Sequence, residues 1–280
     1  MPFVQVASGE SNTTSLAVSF TNPVTAGNLL VYCLNKFPGA DDTITDNRNT
    51  VVNDRAEIET TDNAAAVWRV ANAAAGTTTV TATGGGSGAR LLIIAEYDQI
   101  ATVAPIDRTA GGSAFGATLT SGPTVATTQA DELVIGFGAC GNSAASPLTA
   151  GSGYTLRLSV ASAQNKVNGL EDKIVSATGA QTATFTAASS SNYVCICVTY
   201  KIQVLVATLD QEGYRWRNDD GSETTATWKA AQDTTVTLNP SDVARLRVIV
   251  NATNDPASAN YKLEYRKVGN ASWKNIDTFN

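Results

Sequence analysis

The chain has 280 residues, carries 25 acidic against 19 basic residues for a formal charge of −6, and contains no histidine. Its length exceeds the usual single domain and predicts two. The lack of histidine excludes Ser-His-Asp and Cys-His machinery, imidazole zinc sites and histidine-ligated haem. Scattered lysines and arginines in an acidic chain also make nucleic acid an unexpected partner.

Strand signals recur along the chain, each bounded by Gly, Pro, Asn or Asp. Residues 15–20 alternate apolar and polar side chains before the turn Asn22-Pro23. Residues 28–35 are too continuously apolar for a half-exposed strand and are expected at the centre of a sheet. Residues 64–70, 77–83, 91–97 and 132–138 follow as strands, the second of them closing on the glycine-rich tip 84–88. Residues 155–160, 181–187 and 193–200 complete the set, and Glu171 with Asp172 falls on a further strand. Apolar spacing at i, i+3, i+4 and i+7 is not sustained beyond about two turns. Residues 101–128 are poor in apolar side chains and are expected to wrap over the outside as an irregular arm, as is the stretch 2–14.

The composition changes near Lys201. Beyond it lie three of the four tryptophans, Trp216, Trp228 and Trp273, and the charge density rises. Residues 213–221 read as a strand entering an Asp-Gly turn. Residues 243–250 and 261–268 alternate charged with apolar side chains, and residues 271–276 supply one more strand. The expected architecture is all-β: an antiparallel jelly-roll-type sandwich over residues 1–201 and a smaller immunoglobulin-like or fibronectin-like sandwich over 202–280.

The first ten residues have neither a basic segment nor an apolar one of the kind that starts a signal peptide, and no run approaches the ~18 apolar residues of a membrane span. Only 16% of residues are charged, a composition more typical of extracellular or virion-surface β proteins than of cytosolic enzymes. A virion component released by cell lysis would reconcile such a surface with the missing export signal, as would fusion into a longer secreted chain or an excised fragment.

Several phrases occur together and in order: Pro23-Val-Thr-Ala-Gly-Asn-Leu-Leu-Val31, Thr45-Asp-Asn-Arg-Asn-Thr50, Ile94-Ala-Glu-Tyr-Asp98, Ala130-Asp-Glu-Leu-Val-Ile-Gly136 and Gly151-Ser-Gly-Tyr154. This set resembles a jelly-roll module of tailed-phage structural proteins and some large bacterial surface proteins. Residues 209–223 and 251–266 resemble segments of phage and prophage virion proteins. The resemblance implies a non-enzymatic component of the outer virion surface, such as a head-decoration or cement protein. Its partners would be the major capsid protein or another virion protein, and further copies of itself. It implies no cofactor, and no membrane or nucleic-acid partner. The alternative is a carbohydrate-binding or adhesin module of a tail, fibre or bacterial surface protein.

Candidate chemistry is sparse. Glu96 shares a strand face with Leu92 and Ile94, and Glu171 and Asp172 are the other carboxylates in an apolar setting. If the chain were an enzyme, these three would be its acid–base set, since retaining glycosidases hold two carboxylates roughly 5–5.5 Å apart. Half-buried carboxylates more often pair with basic or backbone donors. Asp41, Asp42, Asp46, Asn47 and Asn49 could offer oxygen ligands to calcium but lack EF-hand spacing, so turn capping is the ordinary reading. Cys33, Cys140, Cys195 and Cys197 read as buried small hydrophobes; a disulfide from Cys33 or Cys140 to one of the close pair stays open. Trp216 and Trp273 are expected in the core, whereas Trp228, in a polar stretch, is the aromatic expected at the surface.

Overall fold

The computed structural model describes residues 2–84, 88–204, 208–222, 224–253, 264–265, 269, 271–272 and 274–275. These form an all-β protein in which every paired strand runs antiparallel. Two compact units divide between Gln203 and Val204; the boundary expected from composition lay after Lys201.

In the larger unit the strands are β1 (Phe3–Ser11), β2 (Ser15–Ser19), β3 (Leu29–Lys36), β4 (Thr43–Asp46), β5 (Val52–Glu59), β6 (Ala64–Val70) and β7 (Thr79–Thr83). They continue as β8 (Arg90–Tyr97), β9 (Ile106–Thr120), β10 (Asp131–Cys140), β11 (Leu148–Ala150), β12 (Thr155–Ala161), β13 (Val167–Ser176) and β14 (Thr184–Lys201). A first sheet has the order β1-β8-β3-β6-β5, and a second the order β11-β14-β10-β13-β12 with β9 also paired to β14. A third, β2-β7-β4, completes the unit.

The side-chain alternation of a strand explains the layering. In β3, Leu29, Val31 and Cys33 enter the core between the first and second sheets, while Leu30, Tyr32 and Leu34 enter the core under the third. Strand β8 divides likewise, with Ile93, Ala95 and Tyr97 on one side and Leu92 and Ile94 on the other. Both strands are covered on both faces, so they read as continuous apolar runs. From the second sheet, Leu133, Ile135, Phe137, Val194, Ile196, Val198 and Tyr200 fill the central core. The outer face of that sheet carries a third cluster, including Leu119, Phe185, Cys195 and Cys197. Gly138 lets this cluster close, because a Cβ there would lie 2.8 Å from the Phe185 ring. Buried amides tie the two main sheets together: Asn35 Nδ2 donates to Cys140 O (3.1 Å) and Asn168 Nδ2 to Leu91 O (2.8 Å).

Two expectations are corrected. The stretch 101–128 is not an irregular arm: 15 of its residues form β9, which follows β14 along most of its length. Its Gly, Ala, Ser and Thr side chains give no apolar rhythm, so backbone pairing rather than burial holds it. Beyond it, Ser121, Thr124 and Thr127 donate backbone N–H groups to Ala183, Gln181 and Gly179. The stretch 2–14 is likewise no free arm, since β1 pairs with β8.

In the smaller unit β15 (Thr208–Asn218) pairs with β16 (Ala244–Thr253), and β17 (Glu264–Tyr265) with β18 (Lys274–Asn275). Residues 227–233 return along the other side of β15, through Asn218 N to Thr227 O (2.9 Å) and Lys229 N to Trp216 O (3.0 Å). Trp216 is half-buried; Trp273, most of the expected strand 261–268 and the centre of the glycine-rich tip 84–88 lie outside the described residues.

Candidate functional site

The carboxylates singled out from sequence are not brought together. Glu96 is fully buried on the face of β8 that looks toward the third sheet. Its Oε1 accepts from Thr25 N (2.9 Å) and Asn28 Nδ2 (2.7 Å), and its Oε2 from Gln5 Nε2 (2.5 Å). Glu171 is equally buried on the outer face of the second sheet, beneath Gly136, where a Cβ would lie 2.7 Å from the Glu171 side chain. It accepts from Gly151 N (2.8 Å) and Thr184 N (3.2 Å), and burial outweighs these donors to push its carboxyl up to about 7. Both main sheets and the core between them separate Glu96 from Glu171, and packed sheets alone stand about 10 Å apart. Asp172, one residue on, faces inward and is held by Arg157 through bonds of 2.7 and 2.9 Å. The condition under which Glu96 and Glu171 would form an acid–base pair is not met, because alternation along β8 and β13 sends them to opposite outer faces.

Asp41 is exposed, and the rest of the acidic run before residue 50 is spent internally. Asp42 forms a buried ion pair with Arg90. Asp46 caps its own turn, accepting from Arg48 N (2.7 Å) and Asn49 N (3.0 Å), and also accepts from the Tyr32 hydroxyl (2.6 Å). Asn47 and Asn49 accept from the backbone of Thr79 and Ala74. Among the described residues no group of three or more His, Cys, Asp or Glu is placed to hold a metal ion. All four cysteines are buried free thiols, and burial pushes Cys140 and Cys197 up to about 12.

Sequence reading passed over two further acids. Glu132 is fully buried at the start of β10, and burial drives its carboxyl up to about 7 despite the Thr199 hydroxyl, with Asp107 adding to the rise. Glu57, beside Lys36 Nζ at 2.8 Å, is raised to about 7 for the same first reason. Glu132 sits in a strand of apolar and small residues, whereas Glu57 lies in the charged strand Val52–Glu59 and is hidden among its acidic and basic neighbours.

The group offered to solvent lies in the smaller unit. Trp228 is 37% exposed and bridges to Arg217 at the edge of β15. The guanidinium carbon of Arg215 lies 4.2 Å from the indole centroid and that of Arg247 6.0 Å away. With Gln232 and Ile249 these residues line a cavity of about 430 Å³, within the range of small-ligand sites. No protein-family model, curated protein or solved structure matches the chain.

The register explains why so many cations converge here. Arg215 lies directly opposite Arg247, and Arg217 directly opposite Arg245, so the Arg-Trp-Arg of β15 and the Arg-Leu-Arg of β16 place four guanidiniums on one face. Like charges directly opposite each other in a ladder are destabilising. Arg245 is relieved by Asp219, and Arg217 by the carbonyls of Asn218 and Ser222. Arg215 donates Nε to Ala230 O (3.0 Å). Arg247 meets the indole and forms no ion pair among the described residues. A flat aromatic beside two guanidiniums can hold a ring by its open face and an anion at its edge.

Proposed function

We propose that the chain is a non-enzymatic structural protein of a tailed-phage virion, decorating and stabilising the capsid through contacts with the shell and with its own copies. The observation that carries this reading is the engagement of Glu96, Glu171 and Asp172 by donors of their own chain on different faces of a rigid sandwich. Those carboxylates serve the scaffold, and the scaffold offers faces and edges. The phage resemblance of both units supports the location, and surface binding that selects the assembled lattice would stabilise it by mass action. The test is mass spectrometry and cryo-electron microscopy of purified particles carrying this chain. The expected result is a symmetric outer layer at fixed stoichiometry to the shell protein; a purified chain absent from every particle would overturn the reading.

A second reading, a carbohydrate-binding or adhesin module, is favoured by one observation. Trp228 stands exposed over a cavity flanked by arginines, as a sugar platform would.

A further inference from the structure

We infer that the cavity between Trp228, Arg215 and Arg247 binds an acidic sugar unit of a polysaccharide, a ring carrying a carboxylate. The inference rests on the second reading above and names its ligand class.

Three features of the cavity narrow the ligand. Arg215 and Arg247 are fixed opposite each other by the β15–β16 register, and neither forms an ion pair among the described residues. Such a pair is unfavourable in the empty site and is relieved by an anion lying between the two guanidiniums. The indole face of Trp228 and the side chain of Ile249 supply a flat, apolar contact suited to the C–H face of a pyranose ring. Gln232 offers an amide that both donates and accepts, which suits ring hydroxyls. Gly213, opposite Ile249, lets the Gln232 amide pack into this corner: a Cβ there would lie 2.8 Å from Gln232 Nε2. A neutral sugar would use the indole and leave the arginine pair unrelieved. Single-stranded nucleic acid would use both groups, but it calls for a basic groove with successive stacking platforms. Here four arginines share one face of the β15–β16 ladder with one indole beside them, in a chain with net charge −6.

The test is isothermal titration of the full chain with polygalacturonate, dextran sulfate, neutral dextran and oligo-dT at low and high salt. The expected result is salt-sensitive binding of polygalacturonate, with at least tenfold weaker binding of dextran and oligo-dT. Trp228→Ala and Arg247→Gln should each weaken polygalacturonate binding at least tenfold. Arg247→Gln removes a like-charge contact, so its melting midpoint should equal or exceed that of the parent, which separates lost binding from lost folding. Equal affinity for dextran would overturn the acidic ligand and leave the carbohydrate reading standing. Preference for dextran sulfate would overturn the carboxylate in favour of an ester anion, and preference for oligo-dT would overturn the sugar. Polygalacturonate binding unmoved by both variants would overturn the site. Binding to none of the glycans would overturn this inference and the second reading together, leaving the virion reading to its own test.

Discussion

The fully buried carboxyl of Glu171 makes a sharp prediction about pH. Its ordinary value of 4.5 rises to about 7 in the folded chain, chiefly because burial disfavours the anion, while Gly151 N, Thr184 N and Lys173 partly offset this and Asp172 adds to it. The folded chain thus keeps a proton that the unfolded chain releases. The associated stability is complete below about pH 4.5 and is lost as pH rises through 7. At about 1.4 kcal/mol per pH interval of one, Glu171 accounts for up to about 3 kcal/mol between those limits. Glu171→Gln mimics the protonated acid and cannot ionise. It should be near neutral or slightly destabilising at pH 5, where one of the two N–H donors loses its best acceptor, and stabilising by about 2 kcal/mol at pH 8. Urea midpoints at unit intervals from pH 5 to 8, read with constant m-values, measure this directly. A variant whose midpoints run parallel to those of the parent would refute the reasoning, since the proton would then belong to another group.

Asn168→Ala removes the Asn168 Nδ2 to Leu91 O bond between the sheets and should lower stability by about 1–3 kcal/mol in the same urea assay. Gly138→Ala forces a Cβ to 2.8 Å from Phe185, so a loss of about 1–3 kcal/mol is expected, with Phe185→Leu restoring part of it. The four cysteines, all buried with raised thiols where a shift is resolved, should resist a thiol reagent in the native chain and all react in denaturant. A fast native thiol would contradict the packing of Cys195 and Cys197 in the outer cluster with Leu119, Ala183 and Phe185.

How far the fold could be read in advance depended on which force shapes each strand. Leu29–Lys36, Ala64–Val70 and Arg90–Tyr97 are legible because burial writes itself into the sequence as apolar runs, and the central pair even announces that both faces are covered. Strand β9 is not legible, because Thr-Ala-Gly-Gly-Ser-Ala is held by its backbone, and hydrogen-bond pairing leaves no mark on side-chain type. The joining of residues 181–187 and 193–200 into a single β14 was missed for a related reason. The polar Ser-Ser-Ser-Asn of residues 189–192 looks like a turn, yet it spans the register shift at which β9 and β14 bend together.

The same division governs the candidate site. Trp228 could be picked out as exposed because its neighbours are polar, a property of local sequence. The arginines around it were visible only as ordinary wet-face alternation in two separate strands. What turns them into a site is register: moving β16 by one residue against β15 would set Arg215 opposite Leu246 or Val248 rather than Arg247. Register reverses the face of every side chain in a strand, so binding groups assembled across a ladder are encoded in the pairing rather than in either strand. The carboxylates give the converse case. Glu96 and Glu171 each looked like chemistry when read alone, and the pairing that sends them to opposite outer faces makes them structural anchors for the loops at Thr25 and Gly151.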